Sequence, residues 1–180
     1  MTNDKKFYLI LLIVLICVGL LFLFLAHNTR NTAVGMEEQI AAAESQVNVQ
    51  EKRRADLIPS LVECVKEYDK YEYETLLAIV NARGDSDEGS EEIQTKIAMV
   101  AEAYPELKSS ENYRTLMNEL AVTENLIANY RGSYNERVRE YNQYVRRFPH
   151  TFFFSVVSYE PQKYEYLEYD VSADAPKLFE

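Results

Sequence analysis

Residues 7–26 have the sequence FYLILLIVLICVGLLFLFLA, which contains no charged side chain. At about 1.5 Å per residue, a helix of this length matches a hydrocarbon core about 30 Å thick. Core helices of soluble proteins rarely run this far without a polar face, so a buried core helix is the less favoured alternative. The stretch therefore predicts a transmembrane helix near the N-terminus.

This apolar segment is not expected to be cleaved. A secretory signal needs small residues before the cut, and Phe24 occupies such a position here. Cys17 lacks the small preceding residue expected of a lipid-modified cysteine. Lys5 and Lys6 precede the segment and only Arg30 follows closely, so the positive-inside rule favours a cytoplasmic N-terminus. We expect a single-pass protein of a cytoplasmic membrane, with the remainder of the chain on the extracytoplasmic side.

The rest of the chain has the composition of one mostly helical domain. Among 180 residues there are five glycines and five prolines, and long stretches without either residue favour helices over a β fold with many turns. We predict an all-α fold with a short tail (1–6), the transmembrane helix (7–26), an antiparallel, up-and-down four-helix bundle with long helices (27–149) and an aromatic and acidic tail (150–180). The tail is expected to pack on the bundle or near the membrane.

The charge and the positions of the cysteines argue against two features. The net charge is −10, from 29 acidic and 19 basic residues, so the average field of the protein repels both nucleic acid and an anionic lipid surface. Cys17 lies in the apolar segment and Cys64 in a helical stretch, which argues against a disulfide between them.

The spacing of apolar residues predicts where the first two helices lie. The first runs from about Met36 to Ala55 with an apolar face that recurs every three or four residues. A bend is expected at Asp56, because this aspartate can cap a second helix over about 57–82 that carries Pro59 in its first turn.

Residues 84–90, GDSDEGS, predict the loop that ends the second helix. Asp85 and Asp87 alternate as in a calcium loop, but the further oxygen ligands and the bidentate glutamate of such a loop are missing. A solvated loop is therefore the preferred interpretation. A short third helix follows from about Ile93 and ends at Pro105.

A long fourth helix of about 35 residues is predicted by the same periodicity. We call the positions that recur every three or four residues along one face of this helix its seam. Tyrosine fills many seam positions, which favours core packing over a binding or phosphorylation stripe. The seam positions are Tyr113, Leu116, Leu120, Thr123, Ile127, Tyr130, Tyr134, Arg137, Tyr141 and Val145.

The chain after the fourth helix is expected to return toward the bilayer near Phe148 and Pro149. Residues 151–158, TFFFSVVS, carry no charge and include three consecutive phenylalanines, Phe152, Phe153 and Phe154. Two interpretations stay open, since such a segment can lie against lipid headgroups or cover the end of the bundle.

Several motifs resemble the LemA family. QVNVQEKRRADLIPSLVE at 46–63 resembles the family's VQ-x-KRRxDLIPNLV run, and AEAYPELK at 101–108 resembles AEAYPxLK. Residues 119–125 resemble EL-x-x-TEN, and the ending from Pro161 to Phe179 resembles the closing P-x-x-Y and PKVxF. The residues that match the family's motifs are Gln50, Lys52, Arg53, Arg54, Asp56, Leu57, Ile58, Pro59, Tyr104, Pro105, Asn125, Tyr141, Asn142, Phe148 and Pro149.

The resemblance implies a bacterial protein with one transmembrane helix, a four-helix bundle, a poorly defined biochemical role and no catalytic residue to carry over. The sequence departs from the family where Glu44 stands for a frequent Trp, where Ser60 replaces Asn, and in the aromatic run 152–154. Different packing of the first helix and the tail is expected at these places.

No catalytic, cofactor-binding or metal site can be assembled from the sequence. His27 and His150 are isolated, and Cys64 lies on an apolar stripe like a buried thiol. One charged cluster can bind an anion at a helix start or form a salt-bridged junction between the first two helices, and the junction is favoured. It consists of Lys52, Arg53, Arg54, Asp56 and Glu63.

The sequence therefore predicts a protein that is not an enzyme. Its expected partners are membrane lipid, through residues 7–26, and a protein or a second copy of the chain, with no nucleic acid, cofactor or small-molecule substrate. A scaffold or adaptor for envelope or membrane proteins is the leading hypothesis. The alternative is a membrane-shaping or membrane-sensing protein that acts by self-association and an interfacial segment, Phe152 to Phe154.

Overall fold

The structure is a computed structural model that describes residues 2–83 and 86–168. Within these ranges the helices are α1 (Thr2–Val65), α2 (Lys70–Arg83), α3 (Asp87–Ala103), α4 (Pro105–Ser109), α5 (Glu111–Arg146) and α6 (His150–Val156). The described ranges contain no β-strand, which confirms the all-α prediction. Gly84, Asp85 and residues 169–180, with the closing family motif, lie outside the described residues.

The chain divides into two compact units. Among the described residues, unit 1 consists of 2–42 and 134–166, and unit 2 consists of 43–133 with 167 and 168. Helices α1 and α5 contribute residues to both units.

Unit 2 has one apolar core, to which five helices contribute. The predicted four-helix bundle is thus present in part, with α4 as an additional short helix. The most deeply buried members of this core are Ile58, Leu61, Val62 and Val65 of α1, Leu76 of α2, Ile93 and Ile97 of α3, Leu107 of α4 and Leu120 of α5.

The predicted helix boundary at Asp56 is wrong, because α1 continues to Val65 with Pro59 inside it. A proline in a helix interior costs about 3 kcal/mol or more. Ile58 and Leu61 on either side of Pro59 are fully buried in the unit 2 core, and each contributes roughly 1.5–3 kcal/mol by leaving water. Continued burial therefore outweighs the proline.

The second helix begins after a turn at 66–69 instead. Asp69 caps it, since its Oδ1 accepts hydrogen bonds from the backbone N–H groups of Tyr71 and Glu72, both at 3.0 Å. The capping role expected of Asp56 thus belongs to Asp69, and α2 covers only the C-terminal half of the predicted second helix.

The predicted loop at 84–90 is shorter than expected, because α3 begins at Asp87. The side chain of Ser86 caps this helix by accepting a hydrogen bond from the N–H of Gly89 at 3.0 Å. The end of the third helix before Pro105 and the 36-residue length of α5 agree with the sequence predictions.

In unit 1, α1 and α5 run antiparallel, with small side chains on the buried face of α1 at Ala26, Thr29 and Ala33. The seam of α5 departs from the prediction at one place, because Val138 is buried and Arg137 is exposed. Arg137 donates a hydrogen bond to Oε1 of Gln39 at 3.0 Å. A guanidinium without a buried acid stays at the surface, and the neighbouring valine takes its place in the seam.

The N-terminal part of α1 is long and apolar enough to cross a membrane, judged by length and composition. Sixteen of its large hydrophobic side chains, between Phe7 and Leu25, are 41–68% exposed. Residues 157–168, after α6, form neither helix nor strand, in agreement with the predicted irregular tail.

Candidate functional site

The most deeply buried charge in the described residues lies in unit 2, within a group we call the ionic cluster: Glu51, Arg54, Asp87, Glu124 and Arg131. Arg54 is 5% exposed; it donates to Oδ1 of Asp87 at 2.6 Å and lies 3.5 Å from Oε2 of Glu124. Arg131 donates to Oδ2 of Asp87 at 2.8 Å and to Oε1 of Glu51 at 2.6 Å. The two oxygens of Asp87 therefore bridge two guanidinium groups.

Helix geometry brings the ionic cluster together. Glu51 and Arg54 are three residues apart on α1, and Glu124 and Arg131 are seven apart on α5, so each pair shares a helix face. Asp87 is the first residue of α3, directly after its Ser86 cap, where the helix dipole favours a negative charge. Three helices of unit 2 are thus joined by ion pairs.

Asp87 and Arg131 of the ionic cluster remain charged at neutral pH. Burial alone would raise the pKa of Asp87, but the hydrogen bonds from Arg131 and Arg54 outweigh it and hold the pKa below its ordinary value. Burial likewise acts to lower the pKa of Arg131, yet its bonds to Asp87 and Glu51 raise that pKa overall. Paired charges of this kind fix helix positions and offer no free base for proton transfer.

The predicted junction between the first two helices is not formed, because α1 passes through it without a break. Arg54 instead ties α1 to α3 and α5. Glu63 pairs with Lys66 at 3.0 Å rather than with the basic residues of the predicted cluster, and it accepts a hydrogen bond from the hydroxyl of Tyr73 at 2.7 Å. The remaining members of the predicted cluster are on the exposed side of α1: Lys52, Asp56 and Arg53, of which the last forms an exposed pair with Glu119 at 3.7 Å.

Unit 1 contains a second polar group, which we call the tyrosine cluster: Glu37, Tyr141 and Tyr159. Oε1 of Glu37 accepts hydrogen bonds from the hydroxyls of Tyr141 at 2.6 Å and Tyr159 at 2.5 Å. Arg30 lies 6.0 Å from the ring centre of Tyr159. Tyr141 is fully buried, which confirms core packing for this seam tyrosine, and Tyr113 and Tyr134 are buried too.

The two phenols of the tyrosine cluster are held in their neutral form. Burial and the hydrogen bond to Glu37 raise the pKa of Tyr141 far above its ordinary range. The same causes raise the pKa of Tyr159 to about 12. Both hydroxyls therefore act as donors to one carboxylate at any physiological pH.

The aromatic segment of α6 lies beside the apolar part of α1 in unit 1. The ring centres of Phe152 and Phe153 are 5.8 Å and 5.3 Å from that of Phe22, so the chain after α5 returns to the apolar segment of α1; its return toward a bilayer stays a prediction. Phe154 is 3% exposed, in agreement with the interpretation as core cover, whereas Phe152 is 53% exposed; contact of Phe152 with lipid headgroups stays a prediction. Phe154 belongs to the core, with its ring 5.2 Å from Tyr159.

Tyr144 positions the start of α6. Its hydroxyl donates to the carbonyl oxygen of Thr29 at 3.3 Å, and its ring stacks on His150 at 4.0 Å. His27 is exposed on α1. Burial raises the pKa of Cys64, which is only partly exposed. Among the described residues, no group of three or more His, Cys, Asp or Glu side chains could hold a metal ion.

The other family-motif residues serve varied local roles. The hydroxyl of Tyr104 donates to Asp69 at 3.3 Å, and Asn125 donates to the carbonyl of Ala121. Oε1 of Gln50 is buried without a hydrogen-bond partner among the described atoms. Leu57 and Ile58 are buried, Asn142 is half-buried, and Pro59, Pro105, Phe148 and Pro149 are exposed.

Sequence reasoning assigned no role to three acids of the two clusters. Glu51 and Glu124 lie inside the quoted motifs, and Glu37 lies one residue after Met36 of the predicted first helix. The available signal was the position of these charges near apolar seams, where an unpaired carboxylate is rarely placed.

A shallow groove of about 310 Å³ lies along the C-terminal part of α5 in unit 1. Its lining residues are basic or polar in type. The groove residues are Arg139, Asn142, Gln143, Arg146, Arg147 and Tyr166.

Comparison with known proteins gives consistent matches. The model of the LemA family matches residues 43–178. Protein LemA of Metamycoplasma hominis is 27% identical over 160 residues, a match that covers 82% of this chain and 72% of that protein. The family match includes all five residues of the ionic cluster, whereas Glu37 and the apolar segment precede it.

Proposed function

This chain belongs to the LemA family, and on that basis we propose that it is a membrane-anchored, non-enzymatic scaffold or adaptor for other proteins of a bacterial membrane or envelope. The observation that carries the anchoring is the exposed apolar surface of α1 between Phe7 and Leu25. Removing a large apolar side chain from water contributes roughly 1.5–3 kcal/mol. Sixteen half-exposed side chains thus favour a lipid environment by an amount on the order of 10–20 kcal/mol.

Extraction of membranes with alkaline carbonate tests the anchoring. We expect the full-length protein to stay in the membrane pellet. The double variant Leu12→Arg with Leu20→Arg should be released to a greater extent than the unaltered protein, since its two central arginines together cost about 5–7 kcal/mol on insertion. The matched control carries the same two charges at Val49 and Val122, which are exposed in unit 2, and should remain in the pellet. Release of the unaltered protein would refute the anchoring.

The proposed location is the cytoplasmic membrane, with unit 2 on its extracytoplasmic side. A protease site and tag placed after Glu180 test this in cells whose outer barrier has been opened, with disrupted cells as the positive control. Removal of the tag from otherwise intact cells is the expected result. Protection of the tag would reverse the orientation and leave the anchoring unaffected.

The scaffold role is supported by two features of unit 2. Its buried charges are paired with one another inside the ionic cluster, so they are occupied in joining helices. Its surface exposes large apolar side chains outside the apolar segment, including Tyr71 and Met99. Met99 lines a groove of about 240 Å³ with Lys96 and Tyr104, a surface that suits a protein partner better than solvent.

Site-specific photocrosslinking in cells tests this role. A photoreactive amino acid at position 99 should give a discrete adduct with a partner protein, whereas the same amino acid at Asn118, an exposed polar position of α5, should not. Absence of an adduct at positions 71, 99, 49 and 122 alike would contradict the scaffold hypothesis. An enzyme would instead show one exposed residue whose loss abolishes an activity without unfolding the protein.

A membrane-sensing role is the second candidate, favoured by the contact of Phe152 and Phe153 with Phe22. Phe22 belongs to the proposed transmembrane segment, so its aromatic neighbours would lie at the membrane surface. The chain contains no tryptophan, which makes Phe152→Trp a background-free probe. In vesicles, lipid brominated near its headgroup should quench this tryptophan strongly.

The control probe is Tyr71→Trp, at an exposed position of unit 2. Its emission should respond to aqueous acrylamide and not to brominated lipid. If Phe152→Trp behaves like Tyr71→Trp, the aromatic segment does not touch lipid and the membrane-sensing role is refuted.

A further inference from the structure

The charges of unit 1 are distributed in an unusual way for an acidic protein. Residues 7–36 and 141–159 contain no aspartate or glutamate, and their charged side chains are Arg30, Arg146 and Arg147. The chain as a whole has a net charge of −10. The carboxylate of Glu37, directly after the first stretch, is held by the hydroxyls of Tyr141 and Tyr159. The two stretches themselves carry only positive charge, in contrast to a net field that would repel anions elsewhere.

Contacts within unit 1 set the position of Arg146 and Arg147. Just before them in the sequence, the hydroxyl of Tyr144 donates to the carbonyl of Thr29 at 3.3 Å. Just after them in the sequence, the ring centre of Phe152 lies 5.8 Å from the ring centre of Phe22. Both α1 contacts fall at the C-terminal end of the apolar segment, so the two arginines lie level with the boundary between the apolar segment and the polar chain.

Both arginines are available to a ligand. They are exposed, and neither forms an ion pair within the described residues. The third arginine of the groove, Arg139, is already paired with Glu136. The half-buried amide of Asn142 and the exposed Tyr166 add uncharged polar groups to the same groove.

We propose that Arg146 and Arg147 bind the phosphate of an anionic phospholipid headgroup at the membrane surface. The inference rests on the proposed anchoring, which places this level of unit 1 at the lipid headgroups. A guanidinium presents paired N–H donors that match phosphate oxygens, and it is less strongly hydrated than an ammonium group. Basic residues at this depth attract anionic lipids over distances of about a Debye length, roughly 8–10 Å.

Energy transfer to labelled lipids tests this proposal on the full-length protein. Phe148→Trp, at an 85% exposed position next to Arg147, serves as the donor in phosphatidylcholine vesicles. Dansyl-labelled phosphatidylglycerol and dansyl-labelled phosphatidylcholine are compared as acceptors at equal amounts. The ratio of the binding constant for phosphatidylglycerol to that for phosphatidylcholine should be about five. Two basic residues attract the anionic lipid, and salt screens part of this attraction.

Replacement of both arginines by glutamine should bring this ratio to about one. Replacement of both by lysine should retain most of the preference, since the charge is kept. The matched control, Lys108→Gln with Arg114→Gln, removes the same charge from exposed positions of unit 2 and should leave the ratio unchanged. Helix content by circular dichroism verifies that each variant is folded.

The outcomes separate this inference from the proposed function. A protein that does not float with the vesicles refutes the anchoring. A protein that floats but shows equal transfer to both lipids keeps its anchor and overturns the headgroup site. Loss of the anionic preference on addition of millimolar inorganic phosphate, at constant ionic strength, would assign the arginines to a free anion instead and would also overturn it.

Discussion

Asp87→Asn is expected to destabilise the protein more than any surface substitution, because one carboxylate holds both arginines of the ionic cluster. A hydrogen bond to a charged group contributes about 1.5–3 kcal/mol, and Asp87 accepts two of them. Asparagine keeps one acceptor oxygen, and the partial exposure of Asp87 weakens both bonds. We therefore expect a loss of about 3 kcal/mol, or a decrease in Tm of roughly 6–12 °C for a chain of this size.

Thermal unfolding of the full-length protein in mild detergent, followed by circular dichroism, measures this loss. Glu119→Gln is the matched control, since it also changes an acid to its amide opposite an arginine of α1, but in an exposed pair 3.7 Å apart. Its effect should stay within about 0.5 kcal/mol. Equal shifts for the two variants, or an unchanged Tm for Asp87→Asn, would refute the reasoning.

The pH dependence follows from the lowered pKa of Asp87. A carboxylate with a depressed pKa in the folded state contributes stability above its unfolded pKa of about 3.9, and this stability is lost as the pH falls through the folded pKa. The difference in Tm between Asp87→Asn and the unaltered protein should therefore be constant above pH 5 and shrink below about pH 4. A difference that grows on acidification would contradict this assignment.

Three further predictions concern other residues. Tyr141→Phe removes a buried donor to Glu37 and should lower the Tm by about 3–6 °C, whereas Tyr130→Phe, at a half-buried seam position, should change it little; equal effects would contradict the role of the tyrosine cluster. The pKa of Tyr159 is raised to about 12, so the stability that its neutral phenol contributes is complete below the unfolded pKa of about 10 and is lost as the pH rises toward 12. Between pH 9 and 12, the Tm of Tyr159→Phe should therefore fall less than the Tm of the unaltered protein. An identical fall in Tm would refute this. Pro59→Ala restores the N–H that can bond to the carbonyl of Ala55 and should raise the Tm by a few degrees; a decrease would indicate that Pro59 belongs at a helix boundary after all.

Periodicity alone located most of the helices, because burial on one face leaves a local pattern in the sequence. The long helix α5 and the end of α3 before Pro105 were predictable in this way. The error at Asp56 arose because an aspartate followed by Pro59 imitates a helix start. What keeps α1 helical through Pro59 is the burial of Ile58 and Leu61 in the core of unit 2. This burial depends on helices far along the chain and leaves no local signal.

The partners within the two clusters could not be predicted from the sequence. Arg54 stands in a family motif, but its acid, Asp87, lies 33 residues away in what resembled a solvated loop. Many acids of this chain could have met Arg54 by charge alone, and helix packing decides which of them does. The same holds for Glu37, whose phenol donors come from α5 and from the tail after α6.

The distance along the chain between Glu37 and its donors also sets the order of events during synthesis. Tyr141 and Tyr159 follow Glu37 by 104 and 122 residues. At translation rates of roughly 5–20 residues per second, the carboxylate waits on the order of 5–25 seconds for them. The apolar residues 7–26 have left the ribosome by then, so under the proposed anchoring they meet the membrane before Glu37 finds its two donors.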